Sequence, residues 1–389
     1  MKTLGVGVIG MGWMGEEHSF AYKNFNVRFP KSNIQLKLIV CSEVIEQRAK
    51  EAKEKFGFSQ YTTDWKEVVH NEEVDIVSIT TPNALHKEIV IECLKANKHL
   101  NCEKPVGATP NETIEIAKLY KNSSVVSFVG YNYRWSPLVQ YAKKLIEEGA
   151  LGKILHYRGR FFSCYAANEL GCYSWRFNQE NGYGALTDIM SHATDMALHL
   201  VGDIESVFGK LKILINERPI AKQGASHYAL GDSNDLKQEV TNDDYASAMI
   251  AFKNGAVGFI DSSRSFFGPT SEMSFEIHGS KGSIKWDFQD MNRLQLYLQE
   301  DGINNGYKTI YSNPSHPNHA NFNPSDGSGL GYSDLKSIEI GKFIESITTK
   351  ASLGPSLVDA AKVAHVLKAV VHSHQSGKNV LVEATQNEK

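Results

Sequence analysis

The chain has 389 residues, 41% of them apolar and 22% charged, enough for two or three globular domains and a sizeable core. A net charge of −3 offers no polycation for nucleic acid or an anionic membrane surface, and no apolar run approaches the ~20 residues of a spanning helix. Five cysteines (Cys41, Cys93, Cys102, Cys164, Cys172), odd in number and without C-x-x-C spacing, argue against a disulfide framework or structural zinc and for a reducing cytoplasm. A strand that starts almost at once leaves no room for a signal peptide.

Leu4 to Ile9 is a short apolar run that feeds into Gly10-Met11-Gly12-Trp13-Met14-Gly15 and a helical pattern from Trp13 to Phe25. Gly10 permits a tight turn, Gly12 lets the backbone approach a pyrophosphate, and Gly15 lets the helix pack on the strand. The helix N-terminus offers free N–H groups and its positive dipole end to the same phosphate. Glycines at this spacing are weak evidence alone; between a strand and a helix they point to dinucleotide binding.

A second strand, Gln35 to Cys41, ends in Cys41-Ser42-Glu43, where such folds place an acid for the adenosine ribose. Ser42 stands where that acid is commonest and leaves space for a 2′-phosphate. Glu43 would repel one, although Arg48 on the next helix could reach over. NAD is favoured, with NADP left open. The unit then repeats: helix Val44 to Phe56, short helix Asp64 to His70, strand Val74 to Ile79, Thr80-Thr81-Pro82-Asn83, and a helix to about Asn97 holding His86. Strand Lys98 to Cys102, Glu103-Lys104-Pro105, helix Asn111 to Tyr120 and strand Val125 to Gly130 follow. This alternation predicts a doubly wound parallel sheet over 1–130, with the strand-end segments 81–83, 103–105 and 131–134 forming one site.

From Tyr131 the pattern changes. Helix Leu138 to Glu148, a long strand Ile154 to Tyr165 and an apolar helix Ala185 to Val201 come first. Strands Val207 to Ile215, Tyr245 to Phe252, Ala256 to Asp261, Met273 to His278, Ser283 to Asp287 and Arg293 to Leu298 follow. Helices Asp334 to Thr348 and Leu357 to His374 and a strand Val380 to Val382 close the chain. Strands in succession predict an α+β domain over 131–389 with an antiparallel sheet. Asn254-Gly255 suits a type I′ hairpin turn. Glu217 to Asn242 and Asp301 to Tyr332 read as long polar loops, either binding loops or inert.

Oxidising an alcohol requires a group to accept the hydroxyl proton and another to polarise the oxygen. Lys104 follows a buried strand at the cofactor side, where a dry site can lower a lysine pKa, although most loop lysines are simply solvated. Asp188 and His192 are four apart, so a helix would put them on one face, with the carboxylate orienting the imidazole. They could equally be a first-turn acid and a packed histidine. Asp195 and His199 extend the series, yet no further ligands are evident and no metal is expected. His316 and His319 read as polar loop.

These segments together resemble the glucose–fructose oxidoreductase, inositol dehydrogenase and rhizopine catabolism family, Gfo/Idh/MocA. The likeness rests on Gly10 to Gly15, Thr81-Pro82-Asn83 with His86, Glu103-Lys104-Pro105, Tyr131-Asn132-Tyr133-Arg134, Ser174-Trp175-Arg176-Phe177 and Gly182 to Asp195. It implies an N-terminal Rossmann domain and a C-terminal domain with a large open antiparallel sheet, which commonly forms a homodimer or homotetramer contact. It also implies NAD(P)-dependent chemistry at a hydroxyl carbon of a sugar, anhydrosugar or cyclitol; the subset acting on inositols and levoglucosan-like anhydrosugars is nearest. Lys104 would bind and polarise the hydroxyl, with Asp188 beside it and His192 as acid–base. Cofactor contacts would come from Gly10, Met11, Gly12, Trp13, Met14, Gly15, Ser42, Glu43, Arg48, Thr80, Thr81, Pro82, Asn83, His86, Glu103, Lys104, Asn132, Trp175 and Arg176. Tyr133, Arg134, Tyr165, Arg176, Asp188 and His192 would line the substrate. Tyr183 departs from a usual glycine and Ser42 from the usual acid. A sensor of sugar and dinucleotide, or a redox-neutral NAD-retaining glycosidase or lyase, are the competing classes; the sensor has no need of Lys104, Asp188 and His192 together.

Overall fold

The computed structural model describes residues 2–121, 123–221, 229–299 and 305–383. They fall into two compact units. The first comprises Met1–Gly107, Glu112–Pro137 and Asn313–Ala361, the second Ala108–Asn111, Leu138–Ser312 and Lys362–Lys389. The units are therefore discontinuous, where the sequence divides the chain once, at 130/131. A late helix packs back on the first.

The first unit holds six parallel strands: β1 (Lys2–Ile9), β2 (Ile34–Ser42), β3 (Gln60–Thr62), β4 (Ile76–Ile79), β5 (His99–Cys102) and β6 (Ser127–Val129), in the order β3-β2-β1-β4-β5-β6. Helices cover the sheet, so β1 and β4 are buried almost throughout and read as apolar runs rather than as alternation. The order reverses between β1 and β4, and beyond the carboxyl ends there lies the crevice where such sheets bind ligands. The helices are α1 (Trp13–Arg28), α2 (Glu46–Phe56), α3 (Trp65–His70), α4 (Asn83–Lys95) and α5 (Pro110–Tyr120). Asp64 caps α3 through Lys66 N–H at 2.9 Å, and Gly57, at φ 83°, ends α2. β3 has only three residues, too few for periodicity to register.

The second unit carries α6 (Pro137–Glu147), β7 (Ile154–Ser163), α7 (Ala185–Asp188), α8 (Met190–Leu200) and β8 (Ile204–Lys212). Its further strands are β9 (Glu217–Pro219), β10 (Lys237–Glu239), β11 (Tyr245–Phe252), β12 (Val257–Ser263), β13 (Ser271–Gly279), β14 (Gly282–Asp287), β15 (Arg293–Leu298) and β16 (Lys308–Tyr311). α9 (Tyr332–Thr349) belongs to the first unit; α10 (Leu357–Ser376) and β17 (Val380–Leu381) end the described chain. Nine strands form one sheet, β16-β15-β14-β13-β7-β12-β11-β8-β17. It is mixed: β7 and β12 run parallel and the other pairings antiparallel. α8 packs on one face, over Tyr157, Phe161, Met273, Phe275 and Ile277, while Phe208, Met249 and Val257 on the other are about half exposed.

Three local expectations are corrected. The apolar stretch 185–201 is two helices, broken at Ile189, whose φ and ψ of −109° and −53° interrupt it. Just before, the Thr187 hydroxyl bonds back to the Tyr183 carbonyl at 2.7 Å, a contact that bends helices. The Asn254-Gly255 hairpin has positive φ only at Gly255, 86°, so it is not type I′. Phe252 O accepts Gly255 N–H and Phe252 N–H bonds Ala256 O, a type I turn followed by a glycine bulge. The two polar stretches are also not wholly loop. One contains the ribbon β9–β10 and the other β16, while 222–228 and 301–304 lie outside the described residues.

Candidate active site

In the first unit the site begins at the glycine turn. Gly10 has φ 91°, and a Cβ there would lie 2.9 Å from Thr80 backbone. A Cβ on Gly15 would sit 1.9 Å from Gly10 O, so only glycine allows α1 this close. A Cβ on Gly12 would meet nothing within 4 Å, because that position faces open space. Thr80 Oγ1 donates to Gly10 O at 2.6 Å and ties the turn to the end of β4. α1 starts at Gly12 without a side-chain cap, as an anion-binding helix start should. Thr81 Oγ1 and Asn132 Nδ2 are buried at the ends of β4 and β6 and have no hydrogen-bond partner among the described residues. An open glycine, an uncapped helix start and two orphaned polar atoms at the strand ends fit a dinucleotide.

Glu43, not Ser42, carries the acid at the end of β2. Its Oε2 accepts Met11 N–H at 3.0 Å, while Ser42 is buried and gives its carbonyl to Gly10 N–H at 2.8 Å. The carboxylate thus lies on the glycine turn. Arg48 is exposed on α2. Trp13, 62% exposed, stacks its ring on Tyr332 at 5.2 Å. His86 is fully buried, its nitrogens facing Pro105 O and Thr81 O at 2.8 Å each. It is a strut between the loops at 81 and 105. Asn83 is the first residue of α4, after Pro82.

Behind the loop 103–105 lies a buried charged network that the sequence reading missed. Glu103 Oε1 accepts from His18 Nε2 at 2.9 Å and from Lys336 Nζ at 2.7 Å. Lys336 also donates to Glu339 Oε1 at 2.9 Å, which takes Asn101 Nδ2 at 3.0 Å. Burial would raise the Glu103 carboxyl, but Lys336 and His18 overcome it and hold it well below the usual carboxylate range. Burial and Lys336 lower His18 to about 4. His18 is therefore neutral, with its proton on Nε2 facing the carboxylate; Nδ1 accepts from Ser78 Oγ at 2.9 Å, and Ser78 Oγ accepts the Tyr22 hydroxyl at 3.0 Å. Lys104, half-buried, follows Glu103, and its peptide with Pro105 is cis. Tyr133 and Arg134 are buried in the short turn after β6.

The second unit gathers its own group. Tyr165 donates to Asp188 Oδ2 at 3.0 Å, and burial with this carboxylate pushes its phenol far up. His192, buried in the first turn of α8, lies against the Phe161 ring at 5.7 Å. The break at Ile189 separates Asp188 from His192, so one continuous helix face does not relate them. The Arg176 guanidinium covers the Trp175 ring at 4.4 Å. Four missed residues fix these segments. Asn242 Nδ2 donates to Arg176 O and Gly182 O at 3.0 Å each, and Asp243 accepts Gly184 and Leu186 N–H at 2.9 and 2.7 Å. Buried Arg264 joins Asp244 Oδ1, Arg176 O and Asn242 Oδ1 at 2.8, 2.9 and 2.8 Å. His316 and His319 are buried struts rather than free loop polarity, bonded to Asn313 N–H and Ser328 O at 3.0 Å each.

Residues 4–131 match the model of an oxidoreductase family with an NAD-binding Rossmann fold, and 139–285 that of the GFO/IDH/MocA C-terminal domain. The levoglucosan dehydrogenase of Pseudarthrobacter phenanthrenivorans is 38% identical over 379 residues, 96% of each chain. The chain belongs to the Gfo/Idh/MocA family of oxidoreductases. Within that family, the myo-inositol 2-dehydrogenase of Thermotoga maritima is 28% identical over 79% of this chain and 81% of its own. A solved levoglucosan dehydrogenase in complex with NADH and levoglucosan has a TM-score of 0.92 at 36% identity, covering 98% of this chain and 100% of that one. The first unit is thus an NAD-binding Rossmann fold, and the orphaned atoms at its strand ends agree with that family assignment.

Two outcomes follow. Glu43→Ala removes a charge-assisted bond of about 1.5–3 kcal/mol at the turn, so KM for NAD should rise about tenfold or more and the preference over NADP shrink; an unchanged NAD to NADP ratio of kcat/KM would contradict the role of Glu43. Between pH 6.5 and about 4 the unfolded chain binds a proton at His18 that the folded chain refuses, so this group lowers stability as pH falls through that window. An NMR titration of the His18 ring should have its midpoint near 4, and a midpoint near 6.5 would refute the neutral, buried state.

Proposed function

We propose that this chain is an NAD-dependent dehydrogenase oxidising a secondary hydroxyl of an anhydrosugar of the levoglucosan class, with cyclitols as the neighbouring substrate class. The support comes from the 38% identity to a levoglucosan dehydrogenase along 96% of both chains, joined to a glycine turn that opens directly on Glu43. Gly10 to Gly15 and the start of α1 would hold the pyrophosphate, Glu43 the adenosine ribose, and Thr81 and Asn132 the nicotinamide end. Bound NAD supplies the hydride acceptor.

Lys104 holds and polarises the reacting hydroxyl through its ammonium group. His192 accepts the hydroxyl proton as the C–H electron pair departs with its hydrogen as hydride and the C=O bond forms. Asp188, oriented by the Tyr165 hydroxyl, places a negative charge beside the reacting group. Arg176, held through its carbonyl by Asn242 and Arg264, and Tyr133 and Arg134 contact further hydroxyls. The same groups serve carbonyl reduction, by microscopic reversibility.

No described helix is long and apolar enough to cross a membrane, and all five cysteines are free thiols, which supports a cytoplasmic setting. We also assign a homodimer or homotetramer built on the open face of the nine-stranded sheet. Met249 is 56% exposed there and pairs with Phe208 and Phe259 across neighbouring strands, an apolar patch that water alone would leave uncovered.

Given NAD and levoglucosan, the protein should generate reduced-nicotinamide absorbance; silence with inositols, aldoses and anhydrosugars on either nucleotide, despite nucleotide binding, would favour the sensor or the redox-neutral enzyme. Lys104→Ala and His192→Ala should each lower kcat by roughly 10²-fold or more, and near-wild-type turnover in either removes its role. Light scattering should give a multiple of 43.3 kDa, reduced to one chain by Met249→Asp; a monomeric parent rules out the assembly.

A further inference from the structure

The buried network of the first unit contains more charge than holding a nucleotide requires. Lys336, Glu339 and His18 are completely buried and Glu103 nearly so. A lysine–carboxylate pair in a dry interior is weak support for stability, since well-packed apolar residues often do as well or better. Its geometry supplies a different use. Oε1 of Glu103 is engaged by two donors, the Lys336 ammonium and the His18 imidazole N–H. Oε2 accepts the backbone N–H of Lys104 at 3.3 Å. The carboxylate is also wedged against Gly130, where an added Cβ would come within 2.5 Å of both oxygens. One oxygen is thus held from α9 and α1, both lie close to Gly130, and the second is bonded to the peptide leading into Lys104.

We propose that Lys336 is a positioning residue: acting through Glu103, it fixes the peptide of Lys104 and so the direction in which that side chain leaves the end of β5. The proposal rests on the role assigned to Lys104. Glu339 steadies the other side of the Lys336 ammonium, with Asn101 holding the same Glu339 oxygen. None of Lys336, Glu339 or His18 belongs to the glycine turn or to the segments that carry substrate groups. The residue acts on turnover by aim, and a shift of ~1 Å at a reacting group can cost about 10²-fold.

The test compares Lys336→Met, Lys336→Arg and Lys104→Ala for kcat, KM and NADH dissociation constant. Lys336→Met should lose about tenfold or more in kcat with NADH affinity within about threefold of the parent, and Lys336→Arg, which keeps the charge, should recover most of the loss. If NADH affinity falls in step with kcat, or Arg restores nothing, Lys336 merely holds the unit together and the proposal is overturned. Wild-type kcat in Lys336→Met beside a collapse in Lys104→Ala overturns the positioning role alone; wild-type kcat in Lys104→Ala overturns the assignment of Lys104 and this proposal with it. Should Lys336→Met fail to fold, Lys336→Met/Glu103→Gln leaves no lone charge on that pair; it should show the same loss in kcat, and normal turnover in it is equally decisive against the role.

Discussion

Helix α1 approaches the ends of β1 and β4 more closely than any side chain at Gly15 could permit, and the first unit is arranged around that approach. The close contact brings the uncapped start of the helix over the switch point of the sheet. It also brings the Met11 amide within reach of Glu43 and His18, one turn further along, onto Ser78 and Glu103. The uncapped helix start, the bond from the Met11 amide to Glu43 and the His18 support behind the lysine loop thus share a single geometric origin. A bulkier residue at that one position would disturb all three.

The two units solve a common problem in a common way. Loops that must present polar groups cannot be held by apolar packing alone, because their backbone groups need partners. In the first unit the partners are His86, bridging 81 and 105, and the ionic group around Glu103. In the second they are Asn242, Asp243, Asp244 and Arg264, whose bonds end on the carbonyls and amides of 176–186 and, through Asp244 Oδ2, on the amides of Leu214 and Ile215. Both supports are buried and ionic, and each stands behind the groups assigned to chemistry.

Much of the fold is legible in the sequence because its signals are local. A glycine turn between strand and helix, buried strands without alternation, and hairpins with Asn-Gly all declare themselves within a dozen residues. What escapes is set at a distance. Lys336 and Glu339 are spaced like an exposed ion pair on a helix, and nothing nearby says that the face carrying them turns inward onto Glu103. Asn242 to Asp244 close a polar stretch and look like loop until the amides they accept come from residues 184 and 186. The break at Ile189 is marked by no glycine or proline inside the run, and it is this break that removes the simple one-turn relation between Asp188 and His192. The Gfo/Idh/MocA membership is readable because its segments are contiguous; the supports beneath them are not.

The ion pair between Glu103 and Lys336 joins residues 233 positions apart. A ribosome that has released the whole glycine turn, all six parallel strands and the lysine loop has therefore still not delivered the cation that balances Glu103. Until Lys336 emerges, 233 positions after Glu103, the nucleotide-binding half carries a carboxylate meant for a dry interior with no counter-charge to accompany it there, and closing so long a loop is slow. The Rossmann portion is in this sense not a cassette that could be cut out at residue 130 and grafted elsewhere. Its final maturation is tied to the synthesis of α9, so that the loop after β5 gains its buried ionic support only once that helix has been made.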